Sequence, residues 1–147
     1  MTRPASAEKL YTPDVLGLAV ELARYPLDDA FSAMGHARSP SCGSTVDMGV
    51  DYTPESGIRR IGMRVAACAI GQASAALFAR EAAGQPLSAI EHTAHDLVAW
   101  LARQSDAEPW PGLDRIAAAR DYPGRHGAVL LPWRAALDAL SKAGCER

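Results

Sequence analysis

Apolar residues recur at two different spacings along the chain, and the spacing predicts where helices and strands lie. The first helical segment opens with Thr12 and Pro13, a capping hydroxyl followed by a proline at the first helical position. Apolar side chains then recur every three or four residues until Pro26, which a helix does not readily pass. We therefore predict a first helix that begins at Pro13 and ends near Tyr25.

Two central segments instead carry an apolar residue at every second position, the period of a strand with one buried face. These residues are Val46, Met48, Val50 and Tyr52 in the first segment and Ile61, Met63 and Val65 in the second. The turn-forming residues 53–57 separate the two segments, and a third short strand is predicted over residues 31–38. The pattern predicts an antiparallel sheet that is covered on one face.

Helical spacing returns after the strands. An alanine-rich helix is predicted over residues 69–83, before Gly84, and a capping box at 88–91 predicts the start of the next helix. A short helix is expected over residues 113–119. A final helix carries Trp133, with Pro132 in its first turn or at a kink. This order predicts an α+β fold, a small three-stranded antiparallel sheet with helices packed on one face.

Length and charge narrow the class of protein. With 147 residues, the chain fits a single domain over 1–147, with its core at about 12–143. The net charge of −2 gives no electrostatic reason to bind nucleic acid or an anionic membrane. No window is apolar enough to span a bilayer, and residues 1–8 show no signal sequence. We expect a soluble, cytoplasmic protein whose three cysteines are thiols or metal ligands.

Two of the cysteines are placed symmetrically about the predicted turn. Cys42 and Cys68 are equally distant from Glu55, so an antiparallel hairpin would bring their thiols side by side. Cys68 also begins a predicted helix, whose N-terminus stabilises a thiolate. The plainer interpretation is that each cysteine is a small buried apolar residue. Because the two thiols would lie side by side, a metal or sulfur site is given the same weight as this plainer interpretation.

The remaining candidate ligands are less distinctive. His126 lies near the start of the last helix, whereas His36, His92 and His95 are expected to be surface or satisfied core residues. Cys145 lies in the C-terminal tail, where we expect it to be exposed.

The order of these motifs resembles the IscU/NifU N-terminal/SufU family of iron–sulfur cluster assembly scaffolds. The resemblance rests on residues 39–43 around Cys42, the hairpin, residues 68–74 from Cys68, and Arg125-His126 before the last helix. It implies a non-enzymatic scaffold that receives sulfur from a cysteine desulfurase, holds iron or an iron–sulfur cluster, and passes it to acceptor proteins. The ligands implied are Cys42, Cys68 and His126.

The chain departs from the family pattern at its site. Ser44 stands where the family has an aspartate, and we keep it as a candidate ligand. Gly127 stands where the family has its third cysteine, and the proline-rich motif recognised by a chaperone is absent. The long segment between Cys68 and His126 is more similar to the SufU branch, which binds zinc and transfers sulfur.

Three further hypotheses stay open from the sequence. Zinc would accept Cys42, Cys68 and His126 plus water, which gives a zinc-bound sulfur-transfer protein. The glycine at position 127, in place of a third cysteine, favours a second hypothesis: the protein binds no metal and uses its fold as a surface for binding the assembly machinery. A hydrolase in which Cys68 is the nucleophile and His126 the base is a remote fourth, because no residue marks an oxyanion hole.

Overall fold

Four α-helices and three β-strands make up residues 10–145, the part of the chain that the computed structural model describes, with side chains to residue 143. They are α1 (Pro13–Glu21), β1 (Ala33–Arg38), β2 (Thr45–Thr53), β3 (Gly57–Ala66), α2 (Ala69–Ala82), α3 (Leu87–Leu101) and α4 (Pro123–Cys145). Short 3₁₀ helices span Leu22–Arg24 and Leu113–Asp121. The predicted α+β class is confirmed. Residues 1–9 lie outside the described part, and they include residues 1–8, for which we predict no signal sequence.

The three strands form one antiparallel sheet in the order β1-β2-β3. Val46, Met48 and Val50 of β2 are fully buried, because α4 packs across β1 and β2 while α2 packs against β3 and α4. The alternation seen in the sequence therefore marks the face of the sheet that the helices cover.

One aromatic ring covers part of the opposite face of the sheet. Phe31 lies over Gly49 and Gly62, and a Cβ at Gly62 would come within 2.7 Å of the ring. The guanidinium of Arg60 stacks on the other side of Phe31, 3.9 Å from the ring centroid. The glycines in β2 and β3 thus make room for a side chain that shields the outer face.

Most helix boundaries follow the sequence signals, and those of α3, the 3₁₀ segment and α4 depart from them. The hydroxyl of Thr12 accepts a hydrogen bond from the Val15 amide at 3.2 Å, as expected for the cap of α1. The predicted capping box at 88–91 is wrong, because α3 begins at Leu87 behind Pro86 and has no side-chain cap. The segment expected as a short helix at 113–119 is a 3₁₀ helix, which follows Gly112 at φ +88°.

The last helix begins earlier than its apolar pattern indicates. Pro123 is its first residue, a position that suits proline, and the helix continues through Pro132 to Cys145. The predicted tail residue Cys145 thus ends α4, with its side chain outside the described part. No helix within residues 10–145 is long and apolar enough to cross a membrane.

Three aromatic rings form the centre of the core. Phe78 stacks on Trp110 at 5.4 Å between centroids, and Trp133 meets both rings edge-on at 5.2 and 5.4 Å. The indole of Trp110 donates to the carbonyl of Leu77 at 2.9 Å. The buried indole N–H of Trp133 finds no hydrogen-bond partner among the described residues. This cluster joins α2 to α4, the two helices whose N-terminal ends lie next to Cys68 and carry His126.

Candidate functional site

A closed loop between β1 and β2 presents Cys42 to solvent. The Ser39 amide donates to the Ser44 carbonyl at 2.8 Å, and the Gly43 amide donates to the Ser39 carbonyl at 2.8 Å. Gly43 has φ +73°, a conformation that favours glycine. These bonds hold the loop at both ends and leave Cys42 exposed.

Hydroxyl groups surround the Cys42 sulfur and stabilise its ionised form. The Cys42 thiol donates to the Ser44 hydroxyl at 3.1 Å. Hydrogen bonds from the hydroxyls of Ser39 and Ser44 lower the pKa of Cys42, and the positive charge of Arg125 lowers it further. Because the thiolate is the nucleophilic and metal-binding form, this exposed thiol has the features of a reactive cysteine.

Cys68 lies at the N-terminus of α2, as the sequence predicts. It is the residue before Ala69, has extended backbone angles, and is half-buried. Its carbonyl accepts the Gln72 amide at 3.0 Å, which begins the helical hydrogen bonding. Cys68 therefore lies beside the first turn of α2, whose amides have no partner within the helix.

The two cysteines line one open pocket of about 270 Å³. The other lining residues are Gly43, Ser44, Ala66, Ala67 and Arg125. The strand pairing differs by one residue from the symmetry seen in the sequence, because the register of β2 and β3 shifts between Asp51 and Tyr52. Extending the ladder past Thr45 and Ala66 would set Cys68 opposite Gly43 rather than opposite Cys42. The loop still brings both thiols to the same pocket.

His126 lies in the first turn of α4 and does not line this pocket. Its Nε2 atom is 3.1 Å from the Arg120 carbonyl, which fixes the tautomer with the proton on Nε2 and leaves Nδ1 as the nitrogen able to bind a metal. Among the side chains that the structure describes, no three histidine, cysteine, aspartate or glutamate residues are grouped to hold a metal ion. The set Cys42, Cys68 and His126 thus stays a prediction.

The space that a third thiol would need at position 127 is already occupied. A Cβ at Gly127 would collide with the hydroxyl of Ser39 and come within 3.2 Å of its Cβ. Ser39 is fully buried, and its hydroxyl lies 3.2 Å from that of Ser41. The loop that carries Cys42 therefore packs directly against α4 through this glycine.

The other polar groups that could bind a metal lie elsewhere. Asp47 is on the outer face of the sheet, where its carboxylate is 2.6 Å from Nδ1 of His36. His92 is exposed on α3, 3.5 Å from Asp96. Sequence reasoning missed the part played by Ser39 and gave Arg125 no role. The serines on both sides of Cys42 were the available signal, because such hydroxyls commonly bond to nearby groups in a tight loop.

The fold is shared with solved structures of a NifU-like protein and of a protein of the SUF system. A NifU-like protein (N-terminal) from Brucella abortus superimposes with a TM-score of 0.83 at 22% identity, over 95% of this chain and 98% of that chain. A candidate iron–sulfur cluster assembly scaffold protein for the SUF system, from the thermophile Fervidobacterium islandicum AW-1, gives 0.79 at 18% identity, over 92% and 99%. No family model and no curated protein sequence matches this chain. The predicted resemblance is confirmed at the level of the fold.

Proposed function

We propose that this chain is an iron–sulfur cluster assembly scaffold-like protein with a diverged ligand set, which accepts transferred sulfur at Cys42. The observation that carries the proposal is that Cys42 and Cys68 line one open pocket beside Arg125, in a fold shared with NifU-like and SUF-system proteins. The role is that of a carrier rather than an enzyme. A cysteine desulfurase and cluster-acceptor proteins are its proposed partners, and the cytoplasm is its proposed location.

The pocket fits sulfur better than it fits a complete cluster. Iron–sulfur clusters are normally held by four thiolate or imidazole ligands, whereas the described pocket supplies the two thiols of Cys42 and Cys68. His126 and Ser44 are the candidate additions from this chain, and they do not complete a described cage. Iron or a cluster is therefore cargo that needs ligands from outside the pocket.

Sulfur transfer needs only one ionised thiol. The Cys42 thiolate would attack the outer sulfur of a persulfide on the desulfurase. A new bond forms between Cys42 Sγ and that sulfur, the sulfur–sulfur bond of the donor breaks, and the desulfurase cysteine leaves as a thiolate. No further oxidant or reductant is required. The Ser39 and Ser44 hydroxyls, which hold down the pKa of Cys42, keep the attacking form populated.

The test is to incubate the protein anaerobically with a cysteine desulfurase and free cysteine, and to measure intact mass and tryptic peptides. We expect one added sulfur atom on Cys42, none in Cys42→Ser, and a shorter-lived or smaller adduct in Cys68→Ser. Cys145→Ser serves as the control that also removes one thiol, and it should load normally. Equal loading of Cys42→Ser and the unchanged protein would overturn the proposal.

Metal analysis and absorption separate the related candidates. After addition of iron and sulfide, visible absorption that depends on both Cys42 and Cys68 would support cluster cargo. Stoichiometric zinc without iron would favour the zinc-bound sulfur-transfer protein.

The module without metal is favoured by the side chain of Ser39, which fills the space at Gly127. This hypothesis would be correct if the protein still bound the desulfurase normally after Cys42 and Cys68 were both replaced by serine.

A further inference from the structure

At the outer edge of β3, the backbone N–H and C=O of Ile61 make no hydrogen bond with another residue in the described part of the chain. In β3, the Met63 amide donates to the Tyr25 carbonyl at 2.8 Å, away from β2. Backbone groups alternate in direction along an antiparallel ladder, so two residues earlier Ile61 must also direct its N–H and C=O away from β2. The edge is therefore open for pairing at Ile61.

Both sides of this opening are closed by the chain itself. Toward the turn, the Ile58 amide donates to the Gln85 carbonyl at 2.9 Å, and the Ile58 carbonyl accepts the Gly84 amide at 2.7 Å. Toward the end of the strand, Pro26 forms a parallel bridge with Met63. Exposed strand edges tend to pair with other chains, and here the pairing is restricted to a short stretch.

A groove of about 270 Å³ lies against this stretch. Its apolar lining is made of Tyr25, Ile58, Ile61, Ala79 and Ala83. It is smaller than most small-molecule sites, which span roughly 300–1,000 Å³. Its size and apolar lining suit one or two side chains of an extended peptide.

The rim of the groove is positively charged. Arg24 and Arg59 line it, both are exposed, and neither makes a hydrogen bond or ion pair with a described residue. The neighbouring carboxylate of Glu21 is already held by two 2.7 Å hydrogen bonds from Arg80. The charge of Arg24 helps to lower the pKa of Glu21, but neither Arg24 nor Arg59 is in ion-pair contact with a carboxylate of the described residues. Two arginines are thus available beside the strand edge.

We propose that this groove binds a short, extended, acidic segment of a partner protein. The segment would pair its backbone with Ile61, place an apolar side chain over Ala79 and Ala83, and bring carboxylates to Arg24 and Arg59. The open N–H and C=O of Ile61 favour a peptide over a lipid headgroup or free phosphate, which offers no strand to pair. The groove lies at the turn end of β3, whereas the thiol pocket lies at the other end near Ala66.

The test uses a fluorescein-labelled hexapeptide of alternating glutamate and leucine, with a peptide of alternating lysine and leucine as its control. Fluorescence anisotropy should show binding of the acidic peptide only. Arg24→Glu and Arg59→Glu should each weaken it by about fivefold or more, because each change removes a charge pair and adds a repulsion. Arg134→Glu is the matched control, since Arg134 is also an exposed arginine without an ion pair to a described residue, and it lies outside the groove.

Amide hydrogen exchange measured by NMR tests the pairing itself. The acidic peptide should slow exchange of the Ile61 amide, whereas the already bonded Met63 amide should change little. The proposal is wrong if the basic peptide binds equally well or if the two charge reversals have no effect. If inorganic phosphate or phosphatidylglycerol vesicles displaced the acidic peptide completely, and the Ile61 amide still exchanged freely, the groove would be an anion or lipid site instead.

Discussion

Gly127→Ala probes the contact that holds the Cys42 loop against α4. The added Cβ would collide with the hydroxyl of Ser39 and lie 3.2 Å from its Cβ. Ser39 is fully buried and bonded to the rest of its loop, so its side chain has little freedom to withdraw. The loop must shift, and the Ser39 hydroxyl moves away from the sulfur of Cys42.

The expected cost follows from two opposing effects. Overfilling a packed site costs about 1–3 kcal/mol. Replacing a helical glycine by alanine stabilises by about 0.5–1 kcal/mol. We therefore expect a net destabilisation of about 1 kcal/mol in urea unfolding. The pKa of Cys42 should also rise toward its ordinary value, because the Ser39 hydroxyl is the largest cause of its depression. The rate of iodoacetamide alkylation as a function of pH measures this shift.

Gly124→Ala is the matched control, because Gly124 is in the same helix and a Cβ there has no neighbour within 4 Å. It should not destabilise the protein or change Cys42. If Gly127→Ala were as stable as this control and left the alkylation profile unchanged, the packing argument would be refuted. Gly127→Cys, which introduces a cysteine where the resemblance implies one, should meet the same obstruction and lose a similar amount of stability.

Three further changes test other parts of the structure. Ser44→Ala removes a hydroxyl that donates to the Cys42 thiolate, so the pKa of Cys42 should rise and its alkylation profile should move to higher pH. A Cβ at Gly17, inside α1, would have no neighbour within 4 Å, so Gly17→Ala should raise the free energy of unfolding by about 0.5–1 kcal/mol. A lower free energy of unfolding would show that the space around Gly17 is not open. The hydrogen bond from Arg80 lowers the pKa of Glu21 in the folded protein. The pair therefore stabilises the fold at pH values above the pKa of Glu21 in the unfolded chain, and this stabilisation is lost as the pH falls through the pKa of Glu21 in the folded protein. Glu21→Gln should therefore flatten the loss of thermal stability on acidification.

The sheet could be predicted from the sequence because its signal is local. Period-two alternation at Val46, Met48 and Val50 is fixed by which face the helices cover, and all three are buried as predicted. The ladder shift near Asp51 could not be found from β2 alone. The alternation within β2 continues through the shift, because the extra residue lies in β3. There Arg59 and Arg60 stand between Ile58 and Ile61 and break the alternation, and the pairing of Cys68 moves by one position.

The site could be predicted only in part from the sequence, because some of its contacts join residues that are far apart in the chain. Cys42 and Cys68 meet because strand pairing and a helix start place them, and both have sequence signatures. The fit between Ser39 and Gly127 is a contact between residues far apart in the chain, and neither residue type is distinctive alone. The start of α3 at Leu87 was misjudged because the carbonyl of Pro86, before the predicted box, accepts the first helical hydrogen bonds from Ala89 and Ile90.

The aromatic core supplies an optical reporter of folding. All three tryptophans of the chain are buried: Trp100, Trp110 and Trp133 are 2%, 4% and 0% exposed. An indole in apolar surroundings emits at shorter wavelength than one in water, because few solvent dipoles can relax around its excited state. None of these rings lines the thiol pocket or the groove beside β3. Native emission should therefore be blue-shifted, should move to the red on unfolding, and should stay constant when sulfur is loaded or a peptide binds.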